Sequence, residues 1–477
     1  MAKDLHSFLK EYEAKYPEDV LHIEKEINSN QEITRIAALL EQQDRYPVLY
    51  FHNVINADGK KAEQPVVTNV LASRTRYARI CDSTFEMLGR NVYEATRARR
   101  ETPIAIAKAE APVREVIKTG DKINLFEFPM VWHNAMDAGY YFSAGFMTTY
   151  DPDTGIDNTA LQRGWAKEKD TIISFLLTGA SHNNLNQRKY EAKNEDMKVC
   201  YWLGHHPLGY TGALTKLPYP GSHWEAMGGM LGEPLRLVPS ESLGDDFLVP
   251  ADAEVVVEGV IEANKRYAEG PFGEFPGYYG AQILNPQWKV TAITHRKDAI
   301  WYNIVAAHVD HPGTGGPPLE GLLWESLKPR FPSLQKVYMP VSGTGRYHAY
   351  IQLKNPGPGE ARQVIMRALD VRGDLVKHIF VFDEDVDIFN PRDVMWAIAT
   401  RTQWGRDVLI FPDTKTVALD PSCGPESICD IGGIDCTKPW GEAYEERVGV
   451  EPAVQNKIKL EDFVDAASLA RVNVERV

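Results

Sequence analysis

The sequence predicts an α+β protein, with a β-rich middle flanked by two segments in which helices and strands alternate. Three observations carry this reading. The first hundred or so residues mix helical and strand-like apolar periods. From about Lys118 to Ala307, short β-branched or aromatic runs follow one another, bounded by turn residues. The last third returns to helix and strand in alternation. A chain of 477 residues has, as a soft prior, about three domains. The shifts in pattern divide it at 1–117, 118–310 and 311–477.

Taken in order, Leu5, Phe8, Leu9 and Tyr12 share one helical face near the N-terminus. "QEITRIAALLEQQ" has helical spacing, "YPVLYFHNV" and "QPVVTNV" read as strands, and "ADGKK" is a turn between them. In the middle, "TIISFLLTG", "KVCYWLG", "EPLRLVP", "AEVVVEGVIEA" and "QWKVTAITHR" are strands. In the last of these, Trp288, Val290 and Ala292 alternate with Lys289 and Thr291, as a half-buried strand requires. Many short strands with interspersed Gly and Pro point to a barrel or sandwich. Towards the C-terminus, "KVYMPV" and "YHAYIQLK" form a hairpin through "SGTGR", "GEARQVIMRALDV" is a helix, and "KHIFVFDED" and "DVLIFPD" are strands. "FNPRDVMWAIATR" starts a helix with Asn390 as N-cap, Pro391 at the first position and Asp393 in the first turn. "KLEDFVDAASLARV" reads as a closing amphipathic helix suited to docking on another subunit.

The net charge of −14 argues against nucleic acid or anionic lipid as a partner. No apolar run approaches the roughly 18 residues of a membrane helix, and the N-terminus lacks the plan of a signal peptide. A cytoplasmic protein is expected. Cys81, Cys200, Cys423, Cys429 and Cys436 do not make a disulfide framework, and the spacing of the last three is unlike a structural zinc site. "GTGG", "GGMLG" and "SGTG" do not fit a dinucleotide-binding turn. "GHHP" and "HVDHP" lack the carboxylate of a zincin, so His205, His206, His308 and His311 read as loop histidines.

The stretch "RYAEGPFGEFPGYYG" carries more chemistry. Glu269 and Glu274 stand five residues apart among glycines, prolines and aromatics. Two readings stand: a glycine-rich turn whose glutamates face water, or a carboxylate pair of which one is desolvated and tuned as a general acid. In "GIDNTALQRGWAKEKD", Asn158 and Arg163 are also five apart. On one strand this would place them on opposite faces. Arg163 is a surface side chain or a cation that ties the two glutamates together or holds an acid. His182 in "TGASHNNLN" reads as a hydrogen-bonded structural residue or a ligand, and Glu225 in "SHWEAMGGMLGEP" as a carboxylate favoured by the helix dipole or a ligand; with Asn158 they would make an oxygen and nitrogen donor set suited to manganese or magnesium.

These clusters, in this order, resemble the UbiD family of decarboxylases. The likeness runs from about residue 30 to 442 and is strongest in "NTALQR", "SHWEAMGGMLGEP", "EGPFGEFPGYYG" and "FDEDVDIFNPRDVMWAIATR". The resemblance implies a central split β-barrel flavin-binding domain, an N-terminal α/β segment and a C-terminal α/β oligomerisation domain, assembled as a homodimer or homohexamer. It implies reversible non-oxidative decarboxylation of an aromatic or heteroaromatic acid through a covalent adduct with prenylated FMN, whose cofactor a flavin prenyltransferase supplies. Arg163, Glu269 and Glu274 match the family's catalytic network. Glu274 would be the proton donor, Arg163 the bridge that orients the substrate acid, and Glu269 its electrostatic tuner. Asn158, His182 and Glu225 match the ligands of Mn2+ (or Mg2+), which clamps the cofactor phosphate with K+ nearby. Thr215, Lys216, Leu217 and Pro218 fall where relatives contact the flavin, and Lys377 matches a basic residue that reaches the phosphate. His308, His311, Leu319 and Trp324 are candidates for the substrate pocket. The alternatives are a metal-dependent hydrolase using Glu269 and Glu274, or a non-catalytic flavin-binding subunit.

Overall fold

The computed structural model describes residues 3–176, 182–372, 375–417, 419–424 and 426–472. The chain forms two compact units, Met1–Thr437 and Lys438–Val477. The larger unit opens with helix Leu5–Lys15, whose start is fixed by a reciprocal cap between Asp4 and Ser7. Leu5, Phe8, Leu9 and Tyr12 are buried along it. A four-stranded sheet follows in the order Val20–Ile23, Val48–Phe51, Val66–Thr68 and Trp301–Tyr302. Its last strand comes from far down the chain and pairs parallel to Val66–Thr68.

The middle of the chain builds a large antiparallel sheet in which Asp157–Leu161 pairs with Phe146–Tyr150, and Phe146–Tyr150 with Met197–Leu203. Strand Gln287–His295 alternates buried and more exposed positions from Trp288 to Ala292. It pairs with Val255–Ile261 along most of its length, and with Thr171–Ser174 and Val116–Thr119 at its two ends. One strand serving three partners, with a register shift at Glu258/Gly259, bends the sheet on itself as bulges do. The result is a curled half-barrel. Of "TIISFLLTG", the strand covers Thr171–Ser174, and residues 177–179 lie outside the described residues.

The last part of this unit is a five-stranded mixed sheet in the order Leu334–Tyr338, His348–Leu353, His378–Asp383, Ile428–Cys436 and Val408–Lys415. Helices Glu360–Arg372 and Pro391–Arg401 connect its strands, and Asn390 caps the second by accepting from Arg392 N–H.

Two expectations need correction. The stretch around "HVDHPGTGGPPLEG" is not a loop: Asp310–Leu327 is an 18-residue helix with Pro317 and Pro318 inside it. Its glycines let neighbouring backbone come close. A Cβ on Gly321 would lie 2.7 Å from the Gly89 carbonyl oxygen, so tertiary packing overrides poor helix propensity. The closing amphipathic helix is not continuous. The smaller unit has helix Pro452–Lys457, a single turn at Leu460–Asp462 and a short helix Ala466–Leu469, which Asp465 restarts by capping Ser468. Leu460, Phe463 and Leu469 remain exposed. A helix this short needs a packed face to hold it.

Among the described residues, no helix is long and apolar enough to cross a membrane.

Candidate active site

The chain leaves strand Asp157–Leu161 and turns into Gly164–Glu168 through Gln162 and Arg163. Because the strand ends at Leu161, its alternation does not reach Arg163. Asn158 and Arg163 therefore both line one cavity, not opposite faces as a continuous strand would require. Gln162 is tied to the Phe175 carbonyl oxygen, and Tyr201 donates to that of Arg163 at 3.2 Å. The guanidinium lies 4.2 Å above the Phe175 ring.

Arg163 meets both glutamates of the glycine-rich loop. Nε donates to Glu269 Oε1 at 3.0 Å and Nη2 to Glu269 Oε2 at 2.6 Å, while Nη1 donates to Glu274 Oε1. Two glycines make room for this. Gly270 has φ +87°, and a Cβ on Gly280 would sit 3.1 Å from Arg163 Nη1. Asp137 holds the loop between the two glutamates by accepting from Gly273 N–H at 2.7 Å, and burial pushes its pKa up to about 6.

The two carboxylates differ in surroundings. Glu269 is fully buried, ends strand Tyr267–Glu269, and also accepts from Tyr141 Oη at 3.2 Å and Asn285 Nδ2 at 3.4 Å. Burial raises its pKa although Arg163 and Tyr141 pull it down. Glu274 lines the cavity, and among the described residues its side chain bonds Arg163 alone, through one oxygen. Burial would lower the Arg163 pKa, but Glu274 and Glu269 raise it above its ordinary value. One fixed cation thus faces two carboxylates, and the cluster can accept or release one proton beside the cavity.

The cavity measures about 240 Å³. Its lining mixes apolar Phe175, Phe272, Phe275 and Leu319 with polar Asn158, His182, Thr215, Lys216, His223, His311 and Arg346. Asp157 organises the polar part. It accepts from the backbone N–H groups of His223 and Trp224 at 2.8 and 3.2 Å, which docks helix His223–Leu231 beside Asn158. Asn158 Nδ2 donates to Asn183 Oδ1 at 2.7 Å, so its amide oxygen turns away from Asn183. Burial and the nearby Lys216 lower the His182 pKa and keep its imidazole neutral. Glu225 sits in the first turn of the helix that starts with His223, and its carboxylate is 3.5 Å from Arg100 Nη1. An amide oxygen, a neutral imidazole and a carboxylate fit a divalent metal of the manganese or magnesium kind.

Asn158, Arg163, His182, Thr215, Lys216, Leu217 and Glu274 line the cavity. Glu269 lies behind Arg163, and Pro218, Glu225 and Lys377 are not part of the lining. Lys377 is held by Asp420 at 2.9 Å and Ser422 at 2.6 Å. Of the pocket candidates, His311 and Leu319 reach the cavity, together with Gly315, because positions four apart share a helix face. His308 instead lies 2.9 Å from Glu41, and Trp324 packs under Arg90 on another side of the helix. His205 is buried away from the cavity, and His206 caps helix Pro207–Leu214. Residues that sequence reasoning passed over are Gln162, Phe175, Tyr141 and above all His223. Burial and Lys216 push the His223 pKa down to about 3, and its ring joins Thr159 N–H at 3.3 Å to the Thr215 carbonyl oxygen at 3.1 Å. Its place before "WEAMGG" was the available signal.

The chain matches the 3-octaprenyl-4-hydroxybenzoate carboxy-lyase family in three parts: the N-terminal domain over residues 13–95, the Rift-related domain over 105–309 and the C-terminal domain over 314–436. It is 32% identical over 459 residues to the phenolic acid decarboxylase of Sedimentibacter hydroxybenzoicus, covering 92% of each chain. It is 28% identical over 429 residues to the anhydromevalonate phosphate decarboxylase of Methanothermobacter thermautotrophicus, covering 90% of this chain and 96% of that one. The UbiD-class enzyme HmfF from Pelotomaculum thermopropionicum, solved in complex with FMN, has a TM-score of 0.87 and 32% identity, over 97% of this chain and 100% of that one. An evolved dimeric form of the same enzyme, in complex with prFMN, has a TM-score of 0.85 and 31% identity, with the same coverage. The paired carboxylates around Arg163 therefore sit in a chain that belongs to the UbiD family of carboxy-lyases, and the enzyme is a decarboxylase.

Proposed function

We propose that this enzyme decarboxylates an aromatic or heteroaromatic acid with prenylated FMN as cofactor, and that Glu274 delivers the proton that replaces the lost carboxyl group. The observation that carries the reading is the single guanidinium of Arg163 shared by a buried and a cavity-facing carboxylate. The related HmfF structures hold FMN and prFMN, and the related Sedimentibacter enzyme is a phenolic acid decarboxylase, which supports a flavin and an aromatic acid here.

When bound, the prenylated flavin supplies the electron-accepting ring that departure of carbon dioxide from an unsaturated carbon requires. The chain does the rest. Asn158, His182 and Glu225 would hold Mn2+ or Mg2+ against the cofactor phosphate, with K+ nearby, and Thr215 to Pro218 and Lys377 would complete that end. Phe175, Phe272 and Phe275, which line the same cavity as Glu274, would help to exclude water once cofactor and substrate are bound and so strengthen the charge interactions there. Arg163 orients the substrate carboxylate and keeps Glu274 in place. Glu269, which does not reach the cavity, acts through Arg163. It limits how far Arg163 can neutralise Glu274, so that Glu274 can be reprotonated between turnovers. The division at 1–117, 118–310 and 311–477 then separates an N-terminal segment, the flavin-binding domain and an oligomerising domain of a homodimer or homohexamer.

The test is production alongside a flavin prenyltransferase, followed by a panel of aromatic and heteroaromatic acids read by mass spectrometry. A changed flavin spectrum and loss of carbon dioxide from one acid are expected. Holo-protein that turns over no acid of the panel would overturn the substrate class. His182→Ala and Glu225→Ala should lose metal and retain cofactor poorly, and unchanged metal content would break that ligand set.

A further inference from the structure

A second cluster with metal-ligand chemistry lies outside the cavity, on the N-terminal sheet. Strands Val20–Ile23 and Val48–Phe51 run parallel, with His22 opposite Tyr50 and Ile23 opposite Phe51. Side chains two residues apart share a face. His22 and Glu24 therefore line up beside Tyr50 and His52 on the same face, Glu24 and His52 each lying one residue beyond the strand end. Helix Leu5–Lys15 borders the groove there and contributes Glu13.

The spacing is that of a ligand set. His22 Nδ1 and His52 Nε2 are 2.8 Å apart, and His52 Nε2 is 3.5 Å from Glu24 Oε1. One ligand atom from each of the three residues lies within 4.8 Å of the others. The second nitrogen of His22, Nε2, is 2.7 Å from Glu13 Oε1. This is the outer carboxylate that commonly orients a metal-bound imidazole. The planes of His22 and His52 are 16° apart with centroids 5.1 Å apart, so their two nearest nitrogens face each other, and Tyr50 packs on His52 at 4.5 Å.

We propose that His22, His52 and Glu24 form a surface site for a zinc-class divalent ion, with Glu13 as the positioning residue of His22. Two imidazoles and one carboxylate, a donor set richer in nitrogen than in oxygen, suit zinc or copper better than calcium or magnesium, which favour oxygen-rich sets. Tetrahedral zinc with bonds of about 2.0–2.1 Å to nitrogen places neighbouring ligand atoms roughly 3.4 Å apart. The spacing from His52 to Glu24 already matches this. The two ring nitrogens are 2.8 Å apart, and an ion between them would replace that contact and open the pair by roughly 0.6 Å. Water fills the remaining position, since all three residues are partly or largely open to solvent. The bound ion would tie the two strands together and, through Glu13, fasten the N-terminal helix to them. None of these residues lines the catalytic cavity, so the site is independent of the decarboxylase reading.

Equilibrium dialysis of the holoenzyme against Zn2+, with metal counted by mass spectrometry, tests this. One equivalent of zinc that depends on His22 and His52 is expected, bound in the micromolar range. His22→Gln or His52→Gln should remove that equivalent, Glu13→Gln should weaken it roughly 10- to 100-fold, and decarboxylation should persist in all three. Co2+ in place of Zn2+ should give an imidazole-type visible spectrum that vanishes in His52→Gln. An unchanged zinc count in the His22→Gln/His52→Gln double variant, or binding no tighter than millimolar, would overturn the proposal.

Discussion

Two arginines of this enzyme, each gripping a buried glutamate, make a useful pair. Arg74 bonds Glu320 with both arms, Nη1 to Oε1 at 2.7 Å and Nη2 to Oε2 at 2.9 Å, and packs against Tyr338 and Phe85. Met339 N–H adds a further bond to Glu320 at 3.0 Å. Arg163 likewise sits against aromatic rings, Phe175 and Phe272, and grips Glu269 with two nitrogens. The difference is one carboxylate. Arg74 and Glu320 cancel each other and join helix Arg74–Ile80 to helix Asp310–Leu327. Arg163 must also serve Glu274, which opens on the cavity. A balanced pair around a buried glutamate is structural, and loss of its arginine strands a charge. A second carboxylate on the same cation is a place where a proton can come and go.

That contrast predicts different failures. Glu274→Gln should lower the turnover number by about 10²–10⁴-fold, the usual range for a positioned acid, with the thermal midpoint and bound flavin almost unchanged. Near-normal turnover would end the assignment of Glu274 as proton donor. Arg74→Ala should do the reverse. It leaves Glu320 buried and unpaired, a loss on the order of 3–5 kcal/mol in denaturant unfolding, while turnover per folded molecule persists. Glu269→Gln should fall between them: a smaller loss of turnover, with the pH–rate profile displaced because Glu274 then has Arg163 to itself. An undisplaced profile would reduce Glu269 to a packing role.

The smallest effect concerns pH and stability. Burial raises the Glu269 pKa in the folded chain, so folding favours its protonated form. Stability from this group is present below the ordinary glutamate value and is lost as pH rises from there through the raised folded value. The midpoint of Glu269→Gln relative to wild type should therefore climb across that window. A constant difference would contradict the sign.

Much of this was legible in the chain. Leu5, Phe8, Leu9 and Tyr12 marked a helix, and alternation from Trp288 to Ala292 marked a strand, because each pattern repeats the period of its own backbone. Helix Asp310–Leu327 is hidden in the sequence by Pro317 and Pro318 and by glycines such as Gly321, where neighbouring backbone comes close. Strand parity puts Asn158 and Arg163 on opposite faces, but the strand stops between them and both reach one cavity. The catalytic candidates stood out by resemblance and not by spacing: Arg163 lies 106 residues before Glu269 and 111 before Glu274, and no local period spans such distances.

By itself, the sequence determined which segments carry an apolar face and which loop bears two acids among aromatics and glycines, for these follow from neighbours along the chain. Only the tertiary structure decided that Glu274 borders the cavity while Glu269 is sealed behind Arg163, and that His22, Glu24 and His52 meet. The physical reason is that desolvation and pairing act through space, and they arise only when strands and helices distant in sequence close around the same few atoms.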